Sequence, residues 1–181
     1  MKNILTALLL LGVLLNASAQ SKRKIEANKK SSEIGYSMKH PLHEWTASAK
    51  DGKCIIVFND DTQKVEVVAV VVAVRSFDSE NSNRDSHALE VLEALKFPNI
   101  TFSANNITDN GSSLQIKGNL VFHGVTKPVE VTAKKSISGK KLLVEGAFDI
   151  NMTDYNVVPP GLMGLKTEEL IKLNFKFNFD I

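Results

Sequence analysis

The last eleven residues set the rhythm for the whole chain. From Ile171 to Ile181 the odd positions are Ile171, Leu173, Phe175, Phe177, Phe179 and Ile181, and the even ones are Lys172, Asn174, Lys176, Asn178 and Asp180. A period of two places every apolar side chain on one face of a strand and every polar one on the other, whereas a helix would scatter the phenylalanines around its circumference. The same alternation runs through Ile34, Tyr36 and Met38, through Trp45, Ala47 and Ala49, through Ile100, Phe102 and Ala104, and through Val129, Val131 and Ala133. Cys54–Phe58 and Val65–Val74 are denser apolar runs, and Leu114–Phe122 and Leu142–Ile150 contain Gly118 and Gly146, where a strand can bend. Lys50-Asp51-Gly52, Asn59-Asp60-Asp61, Asp109-Asn110-Gly111 and Ser138-Gly139 punctuate these runs as turns, the third with a strong hairpin signal.

One segment departs from the pattern. Ala88, Val91, Leu92 and Leu95 follow helical spacing, and Asp85 stands where an N-cap would, so a single helix is predicted over about 86–95, stopped by Phe97-Pro98. Thr153–Thr167, with Pro159-Pro160-Gly161, reads as a loop. About eight short strands with tight turns and one short helix define an all-β fold, either an antiparallel barrel or a sandwich. The long Val65–Val74 and C-terminal runs and the glycines inside strands favour the barrel.

The N-terminus changes the picture of where the protein works. Met1-Lys2-Asn3, an apolar run from Ile4 to Leu15 and the small residues Ala17-Ser18-Ala19 make a secretory signal peptide with cleavage after Ala19. The run is shorter than the roughly 20 residues a membrane span needs. The expected organisation is a signal peptide at 1–19, a flexible, solvated basic segment at 20–32 and one β-domain at 33–181, located in the periplasm or secreted. With 22 Lys and Arg against 20 Asp and Glu, the chain has no field for holding nucleic acid. Cys54 is the only cysteine, so no internal disulfide forms, and its apolar run marks it as a small buried hydrophobe.

Candidate chemistry is sparse. No G-x-S-x-G, H-E-x-x-H, P-loop or G-x-G-x-x-G pattern occurs, and the chain is read as a binder and not an enzyme. His40, His43, His87 and His123 do not assemble a metal site on pattern: Pro41 between the first two argues against the helix that would bring both rings to one face. Arg84-Asp85 either cap and brace the helix or stand at a cavity mouth as polar contacts for a ligand, and His123, in a turn before Gly124, has the same two readings.

Asn83-Arg84-Asp85-Ser86-His87, followed by Leu92 and Lys96-Phe97-Pro98-Asn99-Ile100-Thr101-Phe102, resembles the YceI family of exported lipid-binding proteins. The block from Gly118 to Val129, of the form G-x-L-x-x-x-G-V-T-K-P-V, resembles the same family, and the two blocks have its order and spacing. The resemblance implies an extended, lipocalin-like antiparallel β-barrel whose elongated apolar cavity takes a polyisoprenoid chain, a quinone or quinone precursor, or a related amphiphile. Residues 151–167, which close one end of the barrel in that family, match only loosely. With the alternation, the resemblance makes Phe102, Leu120, Phe122, Val131, Phe148, Leu173, Phe175 and Phe177 the candidate lining of the cavity. The expected partner is the lipid itself, in transient contact with a membrane, and no cofactor is expected beyond a bound isoprenoid lipid or quinone. The competing reading is a barrel filled by its own side chains, acting as a stress-response or protein-interaction module.

Overall fold

The structure, a computed structural model, describes residues 21–162 and 164–181. The expected signal peptide lies outside them. Strands β1 (Lys22–Glu26), β2 (Glu33–His40), β3 (His43–Ala49), β4 (Lys53–Asn59) and β5 (Lys64–Ala73) precede helix α1 (Ser82–Val91). After it come β6 (Asn99–Asp109), β7 (Ser113–Phe122), β8 (Val125–Ser138), β9 (Lys141–Asn151), the two-residue strands β10 (Gly161–Leu162) and β11 (Leu165–Lys166), and β12 (Leu170–Asp180). Ten strands form one antiparallel sheet in the order β1-β4-β5-β6-β7-β8-β9-β12-β2-β3, and β10 and β11 pair as a separate hairpin. The sheet curls into an incompletely closed, lipocalin-like barrel. The edge strands β1 and β3 do not pair with each other: Ser48 of β3 exchanges backbone hydrogen bonds of 3.0 Å with Asp78 of the connector ahead of the helix, and the N–H of Asn28, just after β1, donates to the Asn178 carbonyl of β12 at 2.7 Å.

The count of about eight strands is therefore low, and for a physical reason. Residues 20–32, read as a flexible tail, contain β1, which pairs antiparallel with β4 from Lys22↔Asn59 to Glu26↔Ile55. Its charged residues face solvent from an edge strand, and Ile25 and Ala27 alone bury themselves in the core. Within the 153–167 loop, β10 and β11 supply a second short addition.

Two bulges set which face points inward. In β5 the partner of Phe58 is Val65 while that of Val57 is Val67, so Glu66 is the extra residue. Val65 faces the interior below the bulge, and Val68, Val70 and Val72 face it above. In β6 the register with β7 shifts between Ser103 and Asn106, beside Gly118. A Cβ on Gly118 would lie 2.6 Å from both the Phe102 ring and the Ser103 carbonyl oxygen, so only glycine lets the two strands pass this closely. Gly146 is the last β9 residue paired with β8, opposite Ala133. Above it β9 stays with β12 and leaves β8, and a Cβ there would lie 2.8 Å from the Phe175 ring.

Helix α1 starts four residues earlier than its spacing predicts. Asn81, not Asp85, is the N-cap, its side chain accepting from the Arg84 N–H at 3.0 Å. Asp85 lies in the first turn and reaches back to Ser79, accepting from its hydroxyl at 2.6 Å and its N–H at 3.2 Å. The helix ends by Leu92 because Glu93 takes φ 45°, which leaves Leu95 fully exposed. None of its residues is fully buried.

The end of the barrel carrying the β4–β5, β6–β7 and β8–β9 turns, here the lower end, is shut by an ion pair. Lys135 of β8 reaches across the interior, its Nζ 2.6 Å from Asp109 Oδ2 and 2.6 Å from the Gln63 carbonyl. Asp109 also accepts from the Val65 N–H at 2.9 Å and the Gly111 N–H at 2.8 Å, and both charged side chains are at most 2% exposed. Burial pushes the Asp109 carboxyl up, but the bonds from Lys135, Val65 and Gly111 outweigh it and hold the group below the usual carboxylate range. Lys135→Met leaves that carboxylate buried without its cation and is expected to cost about 3–5 kcal/mol, with Lys135→Met/Asp109→Asn recovering part of it; urea denaturation of the two variants measures both. Asn81→Ala is expected to cost about 1 kcal/mol by the loss of the cap, and Asp85→Ala a comparable amount by releasing Ser79, again by denaturation.

Candidate functional site

Inside the barrel the apolar faces of the strands pack into two clusters without filling all the space between them. They enclose two cavities, a lower one of about 100 Å³ and an upper one of about 120 Å³, with almost wholly apolar walls. The lumen is thus not filled by its own side chains. The lower cavity lies above the Lys135–Asp109 plug. The upper one lies at the opposite end, between α1, β2, β12 and the segment that follows β9.

The eight apolar residues expected from alternation all reach these cavities. Phe102, Val131, Phe148, Phe175 and Phe177 line the lower one, Phe122 lines the upper one, and Leu120 and Leu173 line both. Phe175 and Phe177 stack with their ring centres 5.6 Å apart, as two residues on one face of a strand must. Cys54 faces the lower cavity, and burial pushes its thiol up, so it remains a protonated apolar wall group.

The three polar candidates separate. Arg84 lines the upper cavity, its guanidinium carbon 5.5 Å from the centre of the Trp45 ring in a cation–π contact. Asp85 points instead to Ser79 and braces the connector ahead of the helix. His123 lies outside the cavity walls: its Nδ1 donates to the Tyr155 carbonyl at 3.0 Å and its Nε2 is 3.0 Å from Glu93. Its ring meets the edge of Phe97 at 4.7 Å. It therefore ties the β7–β8 turn to the end of the helix segment and to the turn after β9. Of the other histidines, His40 is buried and spends both ring nitrogens on backbone, donating from Nε2 to Leu165 and accepting at Nδ1 from Leu42.

Sequence patterning missed the polar edge of the upper cavity. Tyr36 and Trp45 both line it, and burial pushes the Tyr36 phenol up. Their positions in alternating strands mark them as inward-facing, but nothing in their spacing marks the pair as the polar edge of an apolar space. Phe77 also lines both cavities, from a connector without any periodicity. Arg84, His87, Tyr36 and Trp45 gather at this end, so the site offers two adjoining apolar cavities with a few hydrogen-bonding groups and one positive charge at the upper end. That is the arrangement of a small-molecule pocket: burial for affinity, a few polar groups for orientation.

Comparison with known proteins agrees with this geometry. Residues 26–179 match the YceI-like domain family. Protein YceI of Salmonella newport is 29% identical over 143 residues, covering 74% of this chain and 75% of its own. Among solved structures, BcnA of Burkholderia cenocepacia superposes with a TM-score of 0.74 at 17% identity, over 84% of this chain and 98% of BcnA. A polyisoprenoid binding domain from Saccharophagus degradans superposes with a TM-score of 0.69 at 13% identity, over 90% of this chain and 99% of that domain. The curled sheet, the helix beside it and the match along nearly the whole described chain lead to one conclusion: this protein belongs to the YceI-like family.

Proposed function

We propose that this protein is an exported carrier that holds an isoprenoid-type or other amphiphilic lipid, such as a quinone, a quinone precursor or a polyprenyl chain, and catalyses no reaction. The observation that carries the reading is the apolar double cavity, closed at one end and edged with polar groups at the other. The tail extends toward the Phe-lined lower cavity, and the head rests near Tyr36, Trp45 and Arg84. Each methylene removed from water contributes about 0.8 kcal/mol, so the tail supplies most of the affinity and the upper polar groups set its direction. A related domain that binds polyisoprenoids supports this class of ligand. Export rests on the signal-peptide pattern of residues 1–19. Among the described residues no helix is long and apolar enough to cross a membrane.

Organic extraction of the natively purified protein, followed by mass spectrometry, is expected to yield one amphiphilic lipid in near-stoichiometric amount. A lipid-free extract from protein that also takes up no added prenol would end the carrier reading. N-terminal sequencing of the exported protein is expected to begin at Gln20, and a chain still beginning at Met1 would end the export reading.

A further inference from the structure

The two cavities are neighbours separated by side chains. Phe77, Ile100, Leu120 and Leu173 line both, so these four form the partition between them. Each cavity is no larger than the roughly 150 Å³ apolar void that stays dry and takes up a single benzene. A chain of any length therefore has to use both, and has to pass the partition.

The four partition residues are not held alike. Ile100, Leu120 and Leu173 stand in the sheet, each facing a ladder partner: Ile100 faces Val72, Leu120 faces Phe102 and Lys127, and Leu173 faces Phe148 and Tyr36. Phe77 belongs to no strand. It follows a short 3-10 turn in the connector between β5 and α1, with extended backbone at φ −75° and ψ 128°. Its ring meets that of Tyr36, 5.3 Å between centres, and its chain neighbour Asp78 makes the isolated bridge to Ser48. Three partition residues are thus fixed by the wall, and the fourth is placed by the connector.

We propose that Phe77 is the residue that sets how long an apolar chain the cavity accepts. The proposal rests on the carrier reading and deepens it. A short tail fills the upper cavity against one face of the ring and leaves it in place. A longer tail has to displace it, and gives up part of what its additional burial would bring. Removing the ring joins the two cavities and keeps every polar group of the upper end, with Tyr36 losing one ring contact.

The test is binding of a series of prenyl alcohols of increasing length to lipid-free wild-type protein, Phe77→Ala, Phe77→Leu and Phe77→Trp. For the wild type, affinity is expected to rise about fourfold per methylene while the upper cavity fills, and then to flatten. In Phe77→Ala the flattening disappears, so the longest prenol gains about tenfold or more while the shortest changes by less than about twofold. Phe77→Leu falls between, and keeps an apolar side chain in the connector should the alanine variant not fold. Phe77→Trp loses the longest prenols and spares the shortest. One length profile shared by the wild type and every folded variant overturns the role of Phe77 while leaving the carrier intact. A wild type that binds no prenol of any length overturns the carrier reading and the role of Phe77 with it.

Discussion

The buried pair of Lys135 and Asp109 is the constraint on which the interior depends. Desolvating two charges costs several kcal/mol per ion, and the pair persists because its donors and acceptors are met from three directions. Lys135 comes from β8, Asp109 from the end of β6, the Gln63 carbonyl from the β4–β5 turn, and the Val65 N–H from the start of β5. A hydrophobic plug would have tolerated small shifts among these elements. A charge pair does not, because any displacement leaves an ion unsatisfied in a dry place. The pair therefore fixes the relative positions of the strands at the lower end and leaves an almost wholly apolar lumen above it.

How much of this was legible in the sequence follows from what each residue is asked to do. The C-terminal strand was plain because one of its faces points inward, buried or half-buried, from Ile171 to Phe179, and alternation records such a face directly. The Val-rich run over β5 showed a strand but not its inner face, since valine fills both faces and the bulge at Glu66 changes the phase midway. Lys22–Glu26 resembled a tail because an edge strand with a single buried anchor, Ile25, needs almost no apolar residues. The helix start was misplaced by four residues because Asn81 and Asp85 are both good caps. The demand of Ser79 for an acceptor, which is tertiary, assigns Asp85 elsewhere.

The candidate site was legible to the same degree. Alternation named the apolar walls, because pointing inward is a property of a strand and its period. It did not name the two cavities, because a void is the difference between the radius of the shell and the summed volume of the side chains inside it. Nor did it find Phe77, which lies beyond the end of β5 where no period operates, nor the Tyr36–Trp45 edge, whose members are adjacent only through the β2–β3 pairing. His123 kept two readings for a related reason: a turn residue near a barrel end looks like a brace or a mouth residue until its partners, Tyr155 and Glu93, are known.

The barrel is a split ring. A fully hydrogen-bonded hoop of strands has a fixed circumference, and widening it means sliding every ladder at once. Here the edge strands β1 and β3 do not pair: β3 is tied to the connector ahead of the helix by Ser48 and Asp78, and the chain after β1 is tied to β12 by Asn28 and Asn178. The circumference at that seam is therefore held by a few bonds, whereas every other strand is held by a full ladder to its neighbours.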